Sequence, residues 1–282
     1  MKKFLMATDL SARSDRALER AVMLAQDHEA YLTIAHVIDE DLPSALSDAQ
    51  EDAAKHAIDE YVDKLAAGKR DRISIKVVCG RAHADILDMS EKVEADLVIL
   101  GMHREDAFKD RFRGTTAERI IRAGGVPVLL VKDRVIRPYQ QVIVGVDFSA
   151  FSRRAVEFAV QFVPSGKFHL VHAYGVPFEG FLYGHDTKRQ VAKLQEVEFE
   201  KMINEEMATF LASLDGKVAG VERVMKQGTV REVIFEQARR LKPDLVVMGT
   251  HGRTGIAHAF LGSVAEDLLR APPCDVLAVK SF

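Results

Sequence analysis

Cysteine is scarce in this chain: 282 residues contain only Cys79 and Cys274. They lie far apart, each at the edge of an apolar run, so both are expected to be buried, reduced thiols rather than a disulfide framework. No stretch approaches the ~18–20 consecutive apolar residues of a membrane helix. The opening MKKFLMATDL reaches a charge at Asp9 too early for a secretory signal, so a cytoplasmic address is expected. Positive charge is not in surplus either, since Lys+Arg 39 against Asp+Glu 42 leaves a net −3. Without a basic face the chain is no nucleic-acid binder, and an anionic ligand must be met by local groups. No G-x4-G-K-[ST] occurs, which argues against a P-loop nucleotide hydrolase. What is present is 48% hydrophobic and 29% charged residues, a soluble globular balance over a length that suits two ordinary domains.

The chain repeats itself. Leu5-Met6-Ala7-Thr8-Asp9-Leu10-Ser11 reads like Ile143-Val144-Gly145-Val146-Asp147-Phe148-Ser149, an offset of 147 − 9 = 138. Further on the offset is 148: Asp96–Gly101 pairs with Asp244–Gly249, Gly114–Glu118 with Gly262–Glu266, and Val128–Lys132 with Val276–Lys280. The difference, 148 − 138 = 10, places an insertion in the second half between about residues 174 and 215. Order-preserving similarity along the whole chain marks a duplication. The polar segment Asp133-Arg134-Val135-Ile136-Arg137-Pro138 separates the copies, giving domains 1–133 and 138–282.

Within each copy, short β-branched runs alternate with helical patterns. The runs fall near 3–8, 31–38, 72–79, 96–101 and 127–132, then near 141–147, 167–173, 219–226, 244–249 and 274–280. Nearly continuous apolar strands suit parallel sheets covered by helices on both faces. Five strands with intervening helices make a doubly wound α/β domain, and a ligand crevice then falls at the strands' carboxyl ends, where the winding reverses. The apolar final strands would expose sheet edges if separate, so the two copies are expected to pack there as a pseudo-twofold pair. A further homodimer of the tandem is left open.

Two loops could carry chemistry at that crevice. One runs from Gly249 through His251, Gly252, Arg253 and His258 to Gly262-Ser263, in the spacing G-x2-G-x9-G-S, from a strand end to a helix start. Gly249 and Gly252 let the backbone turn and approach a ligand without a Cβ, while the helix opened by Ser263 offers free N–H groups and a positive dipole end to phosphate. The other follows the first strand of each half: Asp147, Ser149 and Ser152 match Asp9, Ser11 and Ser14. The serines can cap the next helix, and the acids face the crevice as turn carboxylates or as ligand groups, Asp147 through Mg²⁺ as one option.

The D-x-S-x-x-S-x-x-A start and the G-x2-G-x9-G-[ST] loop together resemble the ATP-binding class of the universal stress protein family, across essentially the whole chain. The resemblance implies sheets in the order 3-2-1-4-5 with ATP in the crevice. Adenine would lie between Asp147 and Ala173, and ribose and phosphates on Gly249, His251, Gly252, Arg253, Gly262, Ser263 and Val264. It also implies an ATP-linked stress-response role with weak hydrolysis at most.

The first half departs from this pattern where Arg104 replaces the second loop glycine, filling space a ribose would need. That half is expected to be empty or to bind something else. Other features carry less. His169 and His172 alternate across a strand and cannot share a metal, and His251 and His258 have no carboxylate pair at ligand spacing. Tyr174–Asp186 is aromatic and glycine-rich; packing on the partner domain is favoured over a lid. The charged stretch near 187–214 reads as a solvated helix face. No set of base, metal carboxylates and transition-state arginine for phosphoryl transfer is found, which leaves a slow ATPase, a nucleotidyl-transfer enzyme, or a scaffold for proteins or a hydrophobic ligand as competing functions.

Overall fold

The computed structural model describes residues 1–102, 115–175, 186–214, 220–250 and 263–280. Its ten strands form a single sheet in the order β3-β2-β1-β4-β5-β10-β9-β6-β7-β8. In the first half these are β1 (Lys3–Thr8), β2 (Tyr31–Asp39), β3 (Ile73–Gly80), β4 (Leu97–Gly101) and β5 (Val128–Val131). In the second they are β6 (Gln141–Gly145), β7 (Lys167–Tyr174), β8 (Glu222–Gln227), β9 (Leu245–Gly249) and β10 (Asp275–Val279). Each half is the doubly wound order 3-2-1-4-5 with parallel pairing. The central strands are apolar on both sides because helices cover both faces. Helices α1 (Ala12–Asp27), α2 (Ser44–Ala66), α5 (Ala150–Phe162) and α6 (Asp186–Ala212) cover one face. Helices α3 (Ala82–Lys92), α4 (Thr116–Ala123), α7 (Val230–Leu241) and α8 (Ser263–Arg270) cover the other. The charged α6 has a buried side after all, carrying Ile203, Met207 and Phe210.

The halves join where β5 and β10 pair antiparallel, in the register Val276↔Leu130, Leu277↔Leu129 and Ala278↔Val128. Subtracting 148 turns 277 into 129, so Leu129 faces its own duplicate and the pseudo-twofold axis passes between them. The lysines that follow these strands each reach across the seam, though to carbonyls that the symmetry does not match. Lys132 Nζ donates to the carbonyls of Pro272 and Pro273, and Lys280 Nζ donates to that of Arg122.

One buried polar cluster breaks the symmetry. The carboxylate of Asp275, 1% exposed, accepts hydrogen bonds from the Lys132 and Asp133 amides and from the Tyr139 hydroxyl at 2.7 Å. Arg20 lies 3.5 Å from the same carboxylate, sits 4.2 Å from the centre of the Tyr139 ring and donates to the carbonyl of Arg137. Burial raises the Asp275 pKa, and these donors oppose the rise. The linker is thereby tied to the last strand of the second half and the first helix of the first.

The duplication is not a simple ten-residue insertion. Phe4 pairs with Leu32 and Val142 with Phe168, separations of 28 and 26, so the second copy is two residues shorter before β7. His36 pairs with Val77 and His172 with Met225, separations of 41 and 53, so it is twelve longer after β7. The net of 12 − 2 = 10 is the offset change seen in the sequence. A second correction concerns the thiols. Cys274 is buried, but Cys79 is exposed, because β3 is an outermost strand whose faces alternate between half-buried and open residues.

Tyr139→Phe removes a hydrogen bond to a buried carboxylate and should cost about 1.5–3 kcal/mol in urea unfolding. His28 should add a pH dependence. Its ring stacks on Phe162 of the other half at 5.4 Å, and burial lowers its pKa. A lowered base pKa means the unfolded chain takes up the proton first, so stability present above about pH 6.5 is lost as pH falls. The stability difference between wild type and His28→Phe, measured from pH 7.5 to 5, should shift towards the variant.

Candidate functional site

Both halves build the same strained turn after the first strand. Phe148 (φ 64°) and Leu10 (φ 61°) occupy the left-handed region, which costs a residue with a Cβ on the order of 1–3 kcal/mol. Hydrogen bonds hold the strain in place. Asp147 Oδ1 accepts from the Ser149 amide at 3.0 Å and the Ser149 hydroxyl at 2.5 Å. Asp9 Oδ1 accepts from the Ser11 amide at 2.9 Å and the Ser14 hydroxyl at 2.6 Å. Ser149 and Ser11 also cap α5 and α1, accepting from the amides of Ser152 and Ser14 as their positions imply.

The second strand adds a feature that the sequence reading missed. His36 Nδ1 lies 2.9 Å from the Thr8 carbonyl, and His172 Nδ1 lies 2.8 Å from the Val146 carbonyl. These are corresponding atoms in the two copies, tying the end of the second strand to the end of the first. His172 also stacks on Phe148 with ring centres 4.2 Å apart, supporting the strained residue. His169 points to the opposite face, near Glu222 and Gln141, so the two histidines do not converge.

In the second half β6 lies between β7 and β9. Asp147, Ala173 and Gly249 therefore stand at the carboxyl ends of three adjacent strands, with Ser149 starting the helix behind them. Ser263 and Val264 open α8, which follows β9. His251, Gly252, Arg253, His258 and Gly262 lie outside the described residues. Tyr174, where packing on the partner domain was expected, meets α6 of its own half. Its hydroxyl donates to Glu200, and its ring centre is 5.9 Å from that of Phe199. The rest of that aromatic segment, 176–185, is outside the described residues. Among the described residues no group of three or more His, Cys, Asp or Glu could hold a metal ion.

The first half holds a crevice of about 490 Å³ at the same strand ends. Ala7, Ala35, Val37, Ile86 and Leu100 give it apolar walls, and Asp9, Ser14, His36, Thr116 and Arg119 give it polar ones. At Gly101 the missing Cβ makes room for protein rather than ligand, since it would sit 3.1 Å from the backbone of Arg13 and Ser14. The start of α4 is closed by a capping box. The Thr115 hydroxyl accepts from the Glu118 amide, and the Glu118 carboxylate accepts from the Thr115 amide. Arg104 lies outside the described residues.

A duplicated, doubly wound α/β chain with one crevice position per copy is a definite class of protein. The profile of the universal stress protein family matches residues 1–132 and again 138–280, so this chain belongs to that family as a tandem member. A universal stress protein E homolog of Haemophilus influenzae is 25% identical over 99% of this chain and 97% of its own length. A universal stress protein of Mycobacterium bovis is 26% identical over 98% and 96%. In fold the chain is similar to a universal stress protein from Archaeoglobus fulgidus, with a TM-score of 0.71 and 21% identity over 99% of this chain and 98% of that one.

Ser149→Ala removes both the α5 cap and the hydroxyl partner of Asp147. It should lower stability by about 0.5–2 kcal/mol, read as a drop in the urea midpoint with an unchanged slope.

Proposed function

We propose that this chain is an ATP-binding stress-response protein of the cytoplasm, whose nucleotide occupancy sets its shape or its protein partners, with little or no hydrolysis. The observation that carries this reading is that Asp147, Ala173 and Gly249 stand at the carboxyl ends of three adjacent strands, with α8 the next helix after the last of them. Adenine and ribose would lie against Asp147, Ser149 and Ala173. The glycine loop with His251, Gly252, Arg253 and Gly262 would wrap the phosphates onto Ser263 and Val264, where helix amides and dipole favour anions. Asp147 is one carboxylate, enough to help hold Mg²⁺ through ATP but short of a catalytic set. The two domains in this reading are 1–133 and 138–282, of which the second takes the nucleotide.

Calorimetric titration should find one ATP per chain. Gly252→Arg should remove binding and leave the fold intact, since a loop tolerates bulk that a core does not. Ser263→Ala should weaken binding by about 0.5–1.5 kcal/mol for one hydrogen bond. A stoichiometry near two, or tight binding by folded Gly252→Arg, would refute the glycine argument. Phosphate release should stay well under the ~10 s⁻¹ median of ordinary enzymes. Turnover near that median, lost in Asp147→Ala, would make the chain an ATPase instead.

A further inference from the structure

A second opening of the first half, about 250 Å³, lies between α1 and α2, on the sheet face opposite α3 and α4. Thr8 is the one described lining residue that it shares with the crevice. Leu10, Leu18, Ile58 and Tyr61 give it an apolar lining, and Asp15 and Glu60 are its acids. Among the described residues its lining cation is Lys64, which pairs with Glu60 at 2.8 Å. No described cation pairs with Asp15; burial raises its pKa, and the charges of Glu19 and Asp9 raise it further.

The second copy is an internal comparison. At the offset of 138, Leu10 corresponds to Phe148, Asp15 to Arg153 and Glu19 to Glu157. Phe148 packs on the core, stacked on His172 and with its ring 5.7 Å from that of Phe210 on α6. Arg153 reaches Glu157 at 3.4 Å. The second copy therefore has a ring and a cation of its own after the first strand. In the first copy a leucine, 42% exposed, stands for the ring and a carboxylate stands for the cation. Glu19 accepts from the Tyr61 hydroxyl at 2.8 Å instead of meeting a base. What remains is an apolar opening beside an uncompensated acid.

We propose that this opening is a binding site for a small arylalkyl amine, one aromatic ring on a short chain that ends in a protonated nitrogen. The ring rests among Leu10, Leu18, Ile58 and Tyr61, where apolar burial and an aromatic neighbour favour it. The ammonium donates to Asp15, a charge-assisted hydrogen bond that supplies the cation the first copy lacks. Pockets for drug-sized ligands run to roughly 300–1,000 Å³, so this smaller one suits a single-ring molecule. The site stands independently of the ATP reading.

The experiment is calorimetric titration of the full chain with phenethylamine, with phenylethyl alcohol as its uncharged analogue and butylamine as a cation without the ring. Phenethylamine should bind saturably near one per chain, and each analogue about tenfold more weakly, the scale of one charge-assisted contact or one buried ring. Leu10→Phe and Asp15→Arg install the second copy's side chains and should each weaken phenethylamine binding by about tenfold or more. Phe148 shows that the left-handed position accepts a phenyl side chain, so Leu10→Phe should fold. Asp15→Asn keeps the shape and removes the charge; it should weaken phenethylamine and leave phenylethyl alcohol unchanged. Ala82→Trp, at an exposed position lining the crevice, should leave phenethylamine binding as it was. The proposal is overturned if phenethylamine shows no saturable binding, if either analogue binds as tightly, or if the affinity survives both Leu10→Phe and Asp15→Arg, each folded by circular dichroism. Loss of binding in Ala82→Trp would put the amine in the crevice and overturn it equally.

Discussion

The structure depends on the antiparallel contact between β5 and β10. Either half by itself would end its sheet on a strand of buried apolar residues, Val128–Val131 or Asp275–Val279, with a row of unpaired amides and carbonyls. Pairing them satisfies both rows and lets the apolar layers on the two faces run from one copy into the other: Leu129 and Leu277 on one side, Leu130 and Val276 on the other. The self-complementary register around Leu129 and Leu277 is that of an isologous contact between identical subunits, preserved here within one chain. Fusing the copies then permitted what an exact twofold forbids. Asp275 has no acidic counterpart, since Pro127 occupies the matching position, and its carboxylate gathers the linker, Tyr139 and Arg20 into one buried cluster.

Most of the fold was legible because its strands are buried on both faces. Runs such as Asp96–Gly101 and Asp244–Gly249 have few readings besides a central parallel strand, and all ten strands lie where the apolar runs fall. The duplication helped further by marking corresponding positions. It misled where two length changes summed to one: the shift of two residues before β7 hid the equivalence of His36 and His172. Allowing that small gap would have aligned the two histidines. The exposure of Cys79 could not be read from its neighbours, because an apolar run does not reveal that its strand is outermost.

The site was legible in part. The serine caps and the acids at the strand ends follow from residue type and place. The left-handed Leu10 and Phe148 do not, since neither residue favours that conformation and only the surrounding hydrogen bonds and the His172 stack enforce it. The capping box at Thr115 was visible as T-x-x-E. The same pattern, S-x-x-E, stands at Ser263–Glu266 in the second half.

The helix starts differ one residue further on, at a position that can vary while the fold stays the same. Stability resides in the sheet, in the seam and in the turns after β1 and β6, all of which the copies share. The residues at the crevice mouth contribute little to it, so substitutions there change ligand chemistry at small structural cost. Arg119 stands where the second half has Asp267, and the two are used differently: Arg119 lines the crevice, whereas Asp267 pairs with Arg231 at 2.7 Å on α7. Duplication therefore leaves one scaffold with two crevice mouths whose side chains differ, joined by a seam that both copies share.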